Sequence, residues 1–375
     1  MKLQINRLEL LNCLNKVSRA VDSKSPLLAL TGIKFTLSED KLELVGSDSD
    51  LAIRCVIEKE KNNKQIMEVE EVGSIVIDEK LICEIMRKVE SDMVEIAVID
   101  NLAKIKSDKS IFSVNCIPAI DYPSVVFDDI VDGQAFGIDA AQLKSMFDQT
   151  LFATSDKESR PILTGLNFKC EGNNLEVVAT DTFRLTKKSL KIAEDLLFNV
   201  TIPRKALDDV NKIVELGTNV KVVVSDKKVS FDLGDCIINT RVISGTFPDT
   251  SRLIPNEFSQ TLNISTKELV GAVDRASILL TEKNNVVKLN MDSEEVYVSS
   301  KSMEIGYVVE KLNEYSYEGE KLTISFSAKY LLDAIKALAS EEISLLFTGD
   351  MKPIILKSKT NPDLIELILP VRTYN

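Results

Sequence analysis

Leu30-Thr31-Gly32-Ile33-Lys34-Phe35 returns 133 positions later as Leu163-Thr164-Gly165-Leu166-Asn167-Phe168. The match runs on without a gap: Leu42, Glu43, Val45 and Asp48 meet identical Leu175, Glu176, Val178 and Asp181, and Ser47 and Ser49 meet Thr180 and Thr182. The same offset holds upstream, where Leu10, Leu14 and Ala20 of an amphipathic stretch fall on Leu143, Phe147 and Ala153. A third, fainter copy repeats the helical stripe as Leu269, Val273 and Ala276 and the strands as Val286-Val287-Lys288-Leu289 and Glu295-Val296-Tyr297-Val298, with slipped spacing. Repetition on this scale marks duplicated domains, which usually build symmetric objects.

Each copy has a second half that also recurs. Ile77-Asp78-Glu79-Lys80-Leu81, Ile202-Pro203-Arg204-Lys205-Ala206-Leu207 and Phe326-Ser327-Ala328-Lys329-Tyr330-Leu331 each open a helical pattern, and the strands that follow end at Tyr122-Pro123, Phe247-Pro248 and Leu369-Pro370. Three units cover the chain, each of ordinary domain size at roughly 125 residues, with boundaries placed at 1–126, 127–254 and 255–375. Alternating runs such as Lys41-Leu42-Glu43-Leu44-Val45 read as strands. Strand meanders with few helices predict an α+β fold, antiparallel sheets with two helices per unit on one side.

The chain has 375 residues, 44% hydrophobic and 28% charged, enough for three cores. No segment approaches 18 uninterrupted apolar residues and the start Met1-Lys2-Leu3-Gln4-Ile5-Asn6 lacks a signal-peptide core, so a cytoplasmic protein without membrane partners is expected. Cys13, Cys55, Cys83, Cys116, Cys170 and Cys236 are widely spread with no CxxC pair, and read as buried core thiols. The absence of histidine excludes an imidazole base, a His-ligated metal and a Ser-His-Asp triad. There is no P-loop, no GxGxxG after a strand and no GxSxG. Carboxylate or lysine chemistry stays open.

The acidic run Gly46-Ser47-Asp48-Ser49-Asp50 could offer oxygens to a hard cation, but its repeat partner Ala179-Thr180-Asp181-Thr182-Phe183 keeps one aspartate, which favours a side-chain-capped turn. A net charge of −12 argues against nucleic acid until position is considered. Helices expected at 7–21, 79–90, 139–153, 203–214, 267–280 and 328–338 hold 14 Lys and Arg against 11 Asp and Glu, and the remainder holds 32 against 47. Such an object could enclose a polyanion on its helical face and repel it elsewhere, although ordinary solvated helix faces would give the same count.

These residues resemble a known family, the bacterial sliding clamp or beta subunit of DNA polymerase III. The resemblance runs end to end through Leu163-Thr164-Gly165, Ala179-Thr180-Asp181-Thr182-Phe183-Arg184-Leu185, Phe247-Pro248-Asp249-Thr250-Ser251-Arg252-Leu253-Ile254-Pro255, Asp274-Arg275-Ala276-Ser277 and Leu369-Pro370-Val371-Arg372. It implies three tandem clamp-fold domains forming half of a ring, closed by a head-to-tail homodimer, with sheets outside and helices around double-stranded DNA. It also implies a non-catalytic processivity subunit of a DNA-directed DNA polymerase holoenzyme. Pairing the outer edge strands across subunits would remove exposed edges.

By the same resemblance, Phe112 and Val114 of one chain would meet Ile278 and Leu279 of the other. Lys24, Lys157 and Arg160 would touch phosphates without reading bases, giving weak, salt-sensitive binding. Some family members carry Arg in place of Lys24 and aromatic residues in place of Pro161 and Ile162, so charge is kept here but base stacking is not implied. A hydrophobic groove is implied at Leu163, Thr180, Phe183, Arg184, Leu185, Pro248, Leu253, Ile368, Leu369, Pro370, Val371 and Arg372. Its partners would be short linear motifs of the replicative polymerase, clamp loader, repair polymerases and mismatch-repair proteins, held by aliphatic walls and by arginines at the rim. Two rival readings remain: an enzyme using Asp48 and Asp50 with a divalent metal, and a repeat-built protein-binding scaffold that does not encircle DNA.

Overall fold

The computed structural model describes residues 1–61, 63–127, 133–281, 285–302 and 304–372. Among these residues one local pattern occurs six times: a strand runs straight into a helix. The strands Lys2–Asn6, Gly73–Asp78, Gln134–Asp139, Arg184–Pro203, Gln260–Ser265 and Leu322–Ser327 lead into α1 (Arg7–Val17), α2 (Glu79–Lys88), α3 (Ala140–Thr150), α4 (Arg204–Ile213), α5 (Thr266–Ser277) and α6 (Ala328–Leu338). The junction residues cause the switch by capping. Asn6 Oδ1 accepts from the amides of Leu8 (3.0 Å) and Glu9 (3.1 Å), Asp78 Oδ1 from Leu81 (2.9 Å), and Asp139 Oδ1 from Ala141 (2.8 Å). At α4 the junction is Pro203, whose missing amide costs nothing where a helix begins.

α1 and α3 each end three to four residues earlier than their periodicity predicts. The same stripe continues as 3₁₀ turns at Ser18–Ala20 and Leu151–Ala153, so Ala20 and Ala153 still reach the core. The Leu-Thr-Gly signature also has a local cause. Thr31 Oγ1 donates to Leu28 O and Thr164 Oγ1 to Pro161 O, both at 2.8 Å, closing equivalent 3₁₀ turns. A Cβ on Gly32 would stand 2.8 Å from Ile77 O, and one on Gly165 would collide with Ile202 O.

The described strands pair antiparallel throughout. The chain divides into two compact units, 1–141 with 205–242 and 142–204 with 243–375. In the first, a five-stranded sheet ends at Ile111–Asn115, and a nine-stranded sheet runs from the first sequence copy into the second. The seam of that larger sheet pairs Leu51–Glu58 with Cys236–Arg241. In the second unit, a seven-stranded sheet runs from the hairpin Gly165–Thr180/Arg184–Pro203 into the third copy, and a four-stranded sheet ends at Gly306–Lys311.

Strand alternation sends one row of side chains to the helices. In the third copy Leu345, Leu356 and Ile368 pack with Leu269 and Val273 of α5 and with Leu331 and Ile335 of α6 in one core. Five of the six cysteines are buried as expected, and Cys116 is half-buried. Among the described residues no helix is long and apolar enough to cross a membrane.

Candidate partner groove and charged loops

An antiparallel sheet covered by helices on one face usually shows water a polar face on the other. The seven-stranded sheet does not. Thr180 pairs with Leu185, Leu185 with Leu367, Leu367 with Ile355 and Ile355 with Leu346, so one row crosses five strands on the face away from α5 and α6. Leu163, Val178, Leu185, Ile355, Leu367 and Phe247 form an apolar cluster there, edged by Ile162, Ile254, Phe258, Leu346, Ile365 and Leu369. The row is itself buried, closed over by Phe247 and by Ile162, Ile254 and Phe258, so it forms a second small core on this face, and the apolar side chains left in solvent at its margin are Phe183, Leu253 and Val371.

The loop at one end of the row is built by side-chain capping. Asp181 Oδ1 accepts from the amides of Phe183 (2.9 Å) and Arg184 (3.0 Å), while Thr180 Oγ1 accepts from Thr182 N (3.1 Å) and donates to Arg184 O (2.6 Å). Thr182 takes φ +82°. This holds Phe183 out into solvent at 52% exposure, next to the tail, where Leu369 N donates to Phe183 O at 2.9 Å and Val371 N to Ser325 O at 2.7 Å. Pro248, Leu253, Val371 and Arg372 are exposed, and Pro370 is half-buried. Residues 373–375, which continue past Arg372, lie outside the described residues.

Two of the groove candidates sit apart from the others. Ile368 points the other way, into the core under α5 and α6, because neighbouring residues on a strand face opposite sides, whereas Leu367 and Leu369 join the apolar cluster. Arg184 is already engaged within the chain. Its Nε donates to Asp181 (3.0 Å), Nη1 to Asp333 (2.6 Å) and Nη2 to Phe152 O (2.7 Å), and its guanidinium lies 4.5 Å from the Tyr330 ring centroid. It ties α6 to the groove loop, whereas Arg372 is exposed. Sequence reading missed Val178, Leu346, Ile355 and Leu367. The available signal was that Leu364-Ile365-Glu366-Leu367-Ile368 carries apolar residues at both alternating positions of the strand.

The capped turn recurs at the repeat position. Asp48 Oδ1 accepts from Asp50 N (3.0 Å) and Leu51 N (2.7 Å), Ser49 takes φ +83°, and Asp48 Oδ2 accepts from Lys205 Nζ at 2.7 Å. Asp50 pairs with Arg241 at 3.3 Å. These carboxylates serve a turn and two ion pairs, as the turn reading expected.

Part of the basic surplus on the helices is also engaged. Lys16 pairs with Asp235 (3.1 Å) and Glu215 (3.4 Å), Arg19 with Asp209 (3.3 Å), Arg204 with Asp156 (3.1 Å) and Arg275 with Glu310 (2.8 Å), while Arg7 donates to the carbonyls of Met86 and Ser91. Lys24, Lys157 and Arg160 are exposed. Lys24 and Lys157 stand 133 residues apart, at the same place in successive copies.

The candidate subunit contacts lie near open sheet edges. Phe112 and Val114 sit on Ile111–Asn115, the edge of the five-stranded sheet, facing inward as half-buried and buried side chains. Ile278, just past α5, is 76% exposed, and Leu279 is half-buried. The edge strand Gly306–Lys311 adds Tyr307 at 78% and Val309 at 48%, which the sequence reading did not select.

Comparison with known proteins accounts for the three repeats. Sequence profiles of the DNA polymerase III beta subunit match along the chain: the N-terminal domain at residues 1–126, the central domain at 137–249 and the C-terminal domain at 251–372. The chain is 40% identical to the beta sliding clamp of Bacillus subtilis over 380 residues and 36% identical to that of Staphylococcus epidermidis over 378, covering 100% of both proteins in each case. It superposes on the crystal structure of the DNA polymerase sliding clamp from Bacillus subtilis with a TM-score of 0.96, at 40% identity and over 100% of each chain. The chain has the three-domain clamp fold and belongs to the DNA polymerase III beta subunit family, the bacterial beta sliding clamps.

Proposed function

We propose that this chain is a non-catalytic DNA sliding clamp: two copies close head to tail around duplex DNA and tether the replicative polymerase, which gives it processivity. The observation that carries this reading is the end-to-end family match at 40% identity over all three repeats. A closed ring stays on DNA by topology, so the contacts themselves can be weak enough to slide. Exposed Lys24, Lys157 and Arg160, with several helix cations already engaged by acids, suit such a loose, sequence-independent grip.

Within this reading the three domains span 1–126, 127–254 and 255–375, and the protein works in the cytoplasm without a cofactor. The edge strands Ile111–Asn115 and Gly306–Lys311 are the natural places for two copies to join, with Phe112, Val114, Ile278 and Leu279 at the contact. The margin of the apolar cluster, where Phe183, Leu253 and Val371 are exposed beside Pro248 and Leu369, receives an extended segment of the polymerase, and the clamp loader, repair polymerases and mismatch-repair proteins use the same margin in turn.

Small-angle X-ray scattering on an absolute scale, joined to a DNA retention assay, tests the proposal. A particle of twice 41.7 kDa with a depleted centre, retained on nicked circular DNA and lost when that DNA is linearised, is the expected result. A compact monomer, or equal loss from circular and linear DNA, would overturn encirclement and leave the protein-binding scaffold.

A further inference from the structure

Among the side chains that the clamp function leaves unused, one pair is placed for covalent chemistry. Cys55 lies on Leu51–Glu58 of the first copy and Cys236 on Cys236–Arg241 of the second, directly opposite in the register of the seam. The next pair along is hydrogen-bonded, with Val56 N donating to Asp235 O at 2.9 Å. Cys55 and Cys236 therefore occupy a non-hydrogen-bonded position, where Cα atoms stand about 4.5 Å apart. That spacing falls within the range of about 4.4 to 6.8 Å that a disulfide spans. The Cys55 thiol already donates to Cys236 Sγ at 2.7 Å, and the two residues are 2% and 0% exposed.

We propose that Cys55 and Cys236 form a modification site, at which a peroxide oxidises the two thiols to an intramolecular disulfide stapling the first copy to the second. One sulfur, as thiolate, attacks a peroxide oxygen; the O–O bond breaks, leaving a sulfenic acid and one water. The facing thiol then attacks the sulfenic sulfur, the S–S bond forms, and the hydroxyl leaves with the remaining proton as a second water. Two thiols lose two electrons in all, and one hydrogen peroxide becomes two waters.

The surroundings set the rate and the choice of oxidant. The neighbouring Cys13 thiol and burial hold Cys55 well above the ordinary thiol range, while its hydrogen bond to Cys236 and the Lys16 ammonium act the other way. The bond from Cys55, together with burial, raises Cys236 in the same sense. Oxidation is therefore slow in the closed fold and favours an oxidant as small as peroxide. Cys13 is the competing third thiol, but it sits on α1 rather than on the facing strand.

The intact protein is incubated with excess hydrogen peroxide, quenched with catalase, unfolded, alkylated and weighed. The expected product is about 2 Da lighter before alkylation, the loss of two hydrogens. It offers four of its six cysteines to the reagent and yields a peptide joining Cys55 to Cys236 that dithiothreitol separates. It also melts at a higher temperature than the reduced protein. Cys13→Ser keeps the mass loss and Cys236→Ser abolishes it. Six alkylated cysteines, oxygen adducts without a bridge, or a bridge through Cys13 in the wild-type protein would each overturn the assignment.

Discussion

Replacing Glu366 by glutamine should stabilise this protein at neutral pH, by an amount that grows with pH. Glu366 lies on Leu364–Ile368, facing away from the groove row, and is 2% exposed. Burial raises its carboxyl well above 4.5, more than the Thr186 hydrogen bond and the Arg184 charge lower it. Thr186 Oγ1 is 2.8 Å from Glu366 Oε1 and 3.2 Å from Gln149 O, and has only one proton to give. A neutral Glu366 that donates to Thr186, while Thr186 donates to Gln149 O, satisfies all three groups. The folded-state pKa is raised, so the native preference for the neutral form is fully present below the unfolded value near 4.5 and is lost as pH rises towards the folded value. Across that window the wild type loses about 1.4 kcal/mol per pH unit relative to a non-titrating isostere. Glutamine keeps the shape, can donate to Thr186 and carries no charge. Thermal unfolding at fixed protein concentration from pH 5.5 to 8, above the isoelectric point near 4.9, should show the Glu366→Gln advantage widening with pH until wild-type Glu366 ionises in the fold. Parallel melting curves at every pH, or a variant less stable at pH 7, would refute the buried neutral carboxyl.

Three other changes probe the remaining parts of the molecule. Reversing Lys24, Lys157 and Arg160 to glutamate should weaken DNA association and flatten its log–log salt dependence by about 0.9 for each phosphate no longer neutralised, with the dimer intact by sedimentation; an unchanged slope would remove these residues from the DNA face. Ile278→Asp, at a position 76% exposed, should leave the circular dichroism of the chain unchanged yet shift sedimentation to the monomer, and a persisting dimer would place the subunit interface elsewhere. Arg184→Ala should cost about 3 kcal/mol in unfolding free energy by leaving Asp181 and Asp333 without their partner, and Arg184→Lys should recover little because one ammonium cannot span the three acceptors; unfolding in urea checks both.

The sequence by itself determined what depends on neighbours in the chain. The 133-residue repeat, the six helices, the capped turns at Asp48 and Asp181 and the buried stripes of Leu10, Leu14, Leu143 and Phe147 follow from periods of 3.6 and 2 and from hydrogen bonds spanning two or three residues. The Leu-Thr-Gly signature was legible as a repeat, but its glycine is explained only by the facing strand that a Cβ would strike.

What only the tertiary structure decided depends on which strands pair and in what register. No local pattern says that Leu185 faces Leu367 or that Cys55 faces Cys236, partners that stand far apart along the chain. Those pairings carry sheets across the copy boundaries and assemble the apolar row of Leu185, Leu346, Ile355 and Leu367. The same geometry turns Ile368 inward while Leu367 and Leu369 face the groove, because a step of one residue along a strand reverses the side a residue faces. Arg184 was legible as a cation beside the groove loop; that its guanidinium is held by Asp181, Asp333 and Phe152 required partners 3 to 149 positions away, which only folding brings within hydrogen-bonding distance.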